Sequence, residues 1–371
     1  MDYDVVYKLI KNKGVIMDSL LFFLSFFLFV NKGMSLNNDQ IKPAISGIVL
    51  MGNTKFNIHT NILPNNIEDY IKVKSIWDGL DGVVINVTWS QLEPEEGQYD
   101  FTEIQKSINF IKLHNKSYPN KLWYAKLRVW YGNTAPSWYI DGKNYFLISR
   151  VISFKNPYLS NSIELKYWSS DFIQKAALLN NALASAYDNN DIIRDVSMTA
   201  CSSLTDEPFI SPDNISSITS EINEGYTNEQ YFSCLYNIAL IYSGWHSTVL
   251  DYSINSFRYI QPNFSIVKDI LSSFSIINHI LSLGLPNIRF DNHDLKRPLN
   301  SSIIKILKYE NQYVPLGGTM QMQGPTFDPS VAIPIALSFG ISCVELWDKQ
   351  IINNSVTQMI DWSNELSKNK V

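Results

Sequence analysis

From residue 45 onward the chain alternates between two patterns. Short apolar runs rich in β-branched residues give way to longer stretches whose apolar positions recur every three or four residues. The first runs are Ile45–Met51 (ISGIVLM) and Val83–Trp89 (VVINVTW), the second entered through the turn signal Asp81-Gly82. Leu122–Tyr131, Val196–Leu204, Ser247–Phe257, Asn287–Asp291, Val314–Gln323 and Ile341–Trp347 read as further strands. Between them the spacing predicts helices. Thr102–His114 carries a stripe of Ile104, Ile108, Ile111 and the adjacent Phe110. Asp171–Tyr187 is Ala- and Leu-rich with Asp171 placed as an N-cap. Asn228–Tyr242, Val267–Leu283 and the short Val331–Phe339 follow.

Eight strands alternating with helices predict an α/β fold, a (β/α)8 TIM barrel with long βα loops; such barrels run from about 250 residues to beyond 400. The alternative is an open doubly wound sheet, but no strand is followed by the Gly-x-Gly-x-x-Gly turn of that class. With no repeat, heptad or low-complexity linker, residues 42–365 read as one domain.

Upstream lies a different kind of segment. Ser19–Val30 is apolar apart from two serines, and Lys8, Lys11 and Lys13 precede it. A basic stretch followed by about 7–15 apolar residues is the layout of a secretory signal or signal anchor, here covering residues 1–35. The run is shorter than the roughly 20 residues of a membrane span. Asp18 and the residues after Asn31 depart from an ideal signal, and a buried N-terminal helix is the alternative. Export would place the protein outside the cell, secreted or anchored, with the membrane as a partner only through this segment. Asn115, Asn214, Asn263, Asn300 and Asn353 would then be glycosylation acceptors, while Asn86 lies inside a strand.

Composition narrows the partners. The 371 residues are 45% hydrophobic and 18% charged, which is globular rather than disordered. A net charge of −5 without a basic block argues against nucleic acid. Aromatics reach 13%, with 9 Trp and 20 Tyr, a supply of flat apolar faces with polar edges. Cys201, Cys234 and Cys343 are too few for a disulfide scaffold or zinc knuckle, though one pair can form in an oxidising compartment.

The segment Asp81–Phe101 reads DGVVINVTWSQLEPEEGQYDF. Trp89, Leu92, Glu93, Pro94, Gly97, Tyr99, Asp100 and Phe101 resemble the second-strand signature of the (β/α)8 glycoside hydrolase clan that includes β-galactosidases, cellulases and xylanases. Ala135-Pro136-Ser137-Trp138 resembles the loop that borders the sugar cleft in that clan. Thr205-Asp206-Glu207-Pro208 follows the fourth strand, where the clan places its general acid/base. The resemblance implies a carbohydrate substrate, with Glu207 as catalytic acid and Glu93 as a turn residue.

Glycosidic cleavage needs a second carboxyl group. The clan places it at the end of strand seven, where this chain offers Gln321 and Gln323. Glu345 is the preferred substitute, in phase with Cys343 and Trp347, then Asp291. An ion pair between Glu345 and a base such as Arg128 is the competing reading. Strands four and eight face each other across a barrel, so a Glu207–Glu345 pair would favour inversion. Trp89, Trp130, Trp138 and Trp347 are candidate sugar platforms, and Asp206, Asp291, Asn292, His293 and Gln323 candidate hydroxyl binders. The cluster Asp291-Asn292-His293-Asp294 lacks the spacing of a zinc site, so no metal and no cofactor is expected. The missing strand-seven Glu leaves a second function open, a catalytically silent barrel that binds carbohydrate.

Overall fold

A computed structural model of the chain describes residues 41–52, 70–71, 73–142, 145–151, 159–201, 219, 221–253, 281–284, 316–319, 329–338 and 340–369. Three strands come first: β1 (Gly47–Gly52), β2 (Gly82–Thr88) and β3 (Tyr124–Trp130). A hairpin of β4 (Tyr145–Val151) and β5 (Leu159–Leu165) interrupts them. Then come β6 (Ile193–Ser197), β7 (Val249–Ser253), β8 (Leu281–Gly284), β9 (Leu316–Thr319) and β10 (Ile341–Trp347). Among the described strands outside the hairpin the pairings are parallel, and they run β1-β10-β9-β8-β7-β6-β3-β2, with β2 pairing back onto β1. The sheet therefore closes on itself and leaves no edge strand to manage.

Helices cover the outside: α1 (Trp89–Leu92), α2 (Thr102–Ser117), α3 (Ser137–Asp141), α4 (Ser170–Tyr187), α5 (Asn228–Ile241), α6 (Pro329–Ser338), α7 (Asp348–Ile352) and α8 (Val356–Lys368). The starts of α4, α5 and α8 are set by hydroxyl caps. The side chains of Ser169, Thr227 and Ser355 each accept the N–H three residues on, which satisfies one orphan donor per helix. On α2, Ile104, Ile108 and Ile111 are buried as the periodicity predicts.

Strand alternation sorts the core into two compartments. Val83, Ile85 and Val87 of β2 face outward into the large cluster between strands and helices. Val84 faces inward, where Ile45, Val49, Cys343 and the partly buried Tyr124 fill the floor of the barrel. The segment before β1 closes that floor. Lys42 donates its backbone N–H to Ser247 at 2.8 Å and its Nζ to Ile193 O at 2.6 Å.

Four expectations are corrected. The fourth strand is Ile193–Ser197 rather than Val196–Leu204, because Arg194 and Asp195 disguise it. The sixth is Leu281–Gly284, ahead of Asn287–Asp291, so the end of the helix read at Val267–Leu283 is strand. Asp171 is not a cap, since Ser169 holds that position. The hairpin β4–β5 and helix α8 were not anticipated. The segment 1–35 and residues 287–291 lie outside the described residues.

Candidate active site

The resemblance-bearing segment builds a rigid turn at the C-terminal end of β2. Thr88 and Gln91 form a reciprocal capping box: the Thr88 hydroxyl accepts the Gln91 N–H at 3.1 Å, and Gln91 Oε1 accepts the Thr88 N–H at 2.9 Å. Glu93 is buried and accepts from Trp89 Nε1 and from the Gly97 N–H, each at 2.8 Å. Gly97 has φ +74°, a left-handed conformation that only glycine adopts freely. Asp100 accepts the Thr102 N–H at 2.9 Å, and hydrogen bonding from the Thr102 side chain, then from this N–H, lowers its pKa. Glu93 is thus a turn acid, as expected.

The four tryptophans separate into two groups. Trp89 is fully buried among Tyr131, Trp138, Tyr139 and Phe172, so its faces belong to the core and not to a sugar platform. Trp138 packs edge-on against Trp89 and donates Nε1 to Glu93 O at 2.9 Å, holding the third-strand loop to the second. Trp130 and Trp347 end β3 and β10 on the inward phase and are half-buried. Trp130 donates Nε1 to Asn86 Oδ1 at 3.2 Å, while Asn86 Nδ2 donates to Met51 O at 2.8 Å. All four lie at the same end of the parallel sheet.

Below that mouth the lumen carries a layer of charge. Arg128 Nη2 reaches both Glu345 oxygens, at 2.9 and 2.7 Å. Lys126 Nζ reaches Glu345 Oε1 at 2.5 Å and also contacts Asp251 Oδ2. These contacts join β3 to β7 and β10, which are not its neighbours, so they cross the interior of the barrel. Burial alone would raise the Glu345 pKa, but Arg128 and Lys126 bring it down to about 2. Burial alone would lower that of Lys126, and Asp251 and Glu345 reverse it, so the ammonium stays charged. Burial raises Asp251 despite Lys126. Burial pushes Asp195 up to about 7.

Glu345 is 1% exposed with both oxygens engaged, and the Arg128 pair weighed against its catalytic role is present. Glu207, Asp206, Asp291, Asn292, His293 and Gln323 lie outside the described residues. Lys126 and Asp195 were missed, although Lys-Leu-Arg inside an aliphatic strand was a usable signal. Glu164 and Glu221 were missed too. Both are buried near Tyr231, Glu221 also near Tyr226, and Tyr167 donates its hydroxyl to Glu164 Oε1 at 2.5 Å. Cys201 and Cys234 form a disulfide, and Cys343 is a buried free thiol. Asn115 uses its amide on both backbone groups of Trp123, at 2.8 and 2.9 Å, a side chain committed to structure rather than to a glycan.

No family model matches the chain, and no curated protein matches it in sequence. Among solved structures it is similar to a β-galactosidase from Rahnella sp. R3, at 12% identity over 89% of this chain and 58% of that one, with a TM-score of 0.47. Endo-glycoceramidase II from Rhodococcus sp. is similar at 11% identity over 88% of this chain and 79% of its own, TM-score 0.49. The exo-β-1,4-mannosidase Op5Man5 from Opitutaceae bacterium strain TAV5 is similar at 8% identity over 91% and 63%, TM-score 0.48. The chain thus spans less than two thirds of the galactosidase and of the mannosidase. These structural neighbours are glycoside hydrolases of the TIM-barrel clan.

Proposed function

We propose that the chain is a (β/α)8-barrel glycoside hydrolase acting on a β-linked oligo- or polysaccharide, with Glu207 as general acid/base. The observation that carries this reading is the segment Trp89–Phe101, folded as a braced turn at the C-terminal end of β2 in a closed parallel sheet. Barrel enzymes place their chemistry at that end. Trp130 and Trp347 there offer half-buried indoles for stacking on a sugar ring. With both Glu345 oxygens already held, Asp291 becomes the first choice for the second carboxylate. The Cys201–Cys234 bond, in a chain with a signal-like N-terminus, supports export into an oxidising compartment.

The test is a panel of β-linked glycans assayed for hydrolysis and for binding with the wild-type chain, Glu207→Gln and Asp291→Asn. Loss of general acid/base help costs about 10²–10⁴-fold in rate while leaving binding and the unfolding midpoint in place. Unchanged hydrolysis by Glu207→Gln overturns that assignment. Binding without hydrolysis across the panel overturns the hydrolase reading in favour of a silent carbohydrate-binding barrel.

A further inference from the structure

Among the described residues, the charged layer in the lumen does not balance. Two cations, Lys126 and Arg128, face three carboxylates, Asp195, Asp251 and Glu345. Glu345 touches both cations and Asp251 touches one. Asp195 is in salt-bridge contact with neither. Its Oδ2 accepts one long bond, 3.3 Å, from the Ile45 N–H of the segment that closes the floor, and its buried Oδ1 has no partner among the described residues. An isolated buried carboxylate is among the most costly groups a fold can hold, and adding a proton removes that cost.

We propose that Asp195 is a proton-binding site in the barrel core, which makes the lumen layer electrically neutral and links the stability of the barrel to acid pH. The surrounding groups favour this position over its neighbours. From β3 come Lys126 and Arg128, from β7 Asp251, and from β10 Glu345 and the Cys343 thiol. Lys42 lies nearer the floor with its Nζ on Asn190 O and Ile193 O, and Arg194 stacks on Tyr124. The direct contact with Lys126 keeps Asp251 the poorer proton acceptor of the two. The upward displacement of Asp195 to about 7 agrees with this assignment.

The sign follows from linkage. Between the ordinary aspartate range and about pH 7 the folded chain holds a proton that the unfolded chain releases. Stability therefore falls as pH rises through this interval, by about tenfold in the unfolding equilibrium per pH unit, and levels off above it. The experiment compares chemical unfolding of the wild-type chain, Asp195→Asn and Asp251→Asn from about pH 4 to about pH 8. Asp195→Asn keeps the shape and cannot ionise, so it should reduce the slope by about one proton and exceed the wild type in stability at the alkaline end. If Asp195→Asn runs parallel to the wild type, or if Asp251→Asn is the variant that reduces the slope, the proposal is overturned. Infrared spectra of the wild-type chain give a second readout that needs no variant. The C=O stretch of a protonated buried carboxyl should be present at about pH 5 and fade by about pH 8, and its absence at about pH 5 would also overturn the assignment. Neither readout depends on glycosidase activity.

Discussion

Replacing Glu345 by Gln tests how much the lumen ion cluster contributes. The change preserves shape but removes the carboxylate that holds both Arg128 and Lys126, leaving Lys126 its contact with Asp251. The folded pKa of Glu345 is about 2 against an ordinary value of 4.5, a gap of 4.5 − 2 or about 2.5 pH units. At about 1.4 kcal/mol per unit this corresponds to about 3 kcal/mol, in the range of about 3–5 kcal/mol for breaking a buried pair on one side. Because the folded pKa is depressed, this stability is fully present above about pH 4.5 and is lost as pH falls towards about 2. Urea unfolding followed by tryptophan fluorescence should therefore show a deficit of about 3 kcal/mol at neutral pH that shrinks in acid. A deficit that is independent of pH, or one below about 0.5 kcal/mol, would refute the reasoning.

The same variant has a consequence for its neighbour. Once Glu345 is neutral, an ionised Asp195 restores two negative charges against two positive ones. Asp195→Asn should stabilise the wild-type chain at alkaline pH and destabilise the Glu345→Gln chain. A double-mutant cycle would record this as a non-zero coupling energy, the effect of Asp195→Asn changing sign between the two backgrounds. Simple additivity would mean that the two carboxyls do not share one charge balance.

Two other perturbations act away from the lumen. Reduction of Cys201–Cys234, which closes a separation of 33 residues, should lower stability by about 3–4 kcal/mol, read as a shifted denaturant midpoint between reduced and oxidised chain. Gly97→Ala meets no atom within 4 Å but must hold φ +74°, so it should cost about 1–2 kcal/mol, measured by thermal unfolding.

How much was legible in the sequence depends on how far each signal reaches along the chain. β10 was legible at Ile341–Trp347 to the residue, because a mainly apolar run of seven residues is bounded by Gly340 and the polar Asp348-Lys349-Gln350 that opens α7. The β2 turn was legible as well, since Trp89, Glu93 and Gly97 meet within nine positions. Trp89 was misassigned as a platform for a complementary reason: the rings that cover it come from Tyr139 and Phe172, far along the chain. β6 starts ahead of Val196 and is hard to read from pattern, because Ile-Arg-Asp-Val-Ser carries two charges in five residues and lacks the apolar run that marks the other strands. Inside a closed parallel barrel a strand is buried on both faces, so a charge within it implies a partner across the lumen. Lys126, Arg128, Asp195, Asp251 and Glu345 all sit on barrel strands, and the partners of Lys126 and Arg128 lie 125, 219 and 217 residues away. No local pattern pairs them. Their signs, however, are written in the sequence, and among the described lumen residues two positive charges stand against three carboxyl groups, a balance that one proton on Asp195 would restore.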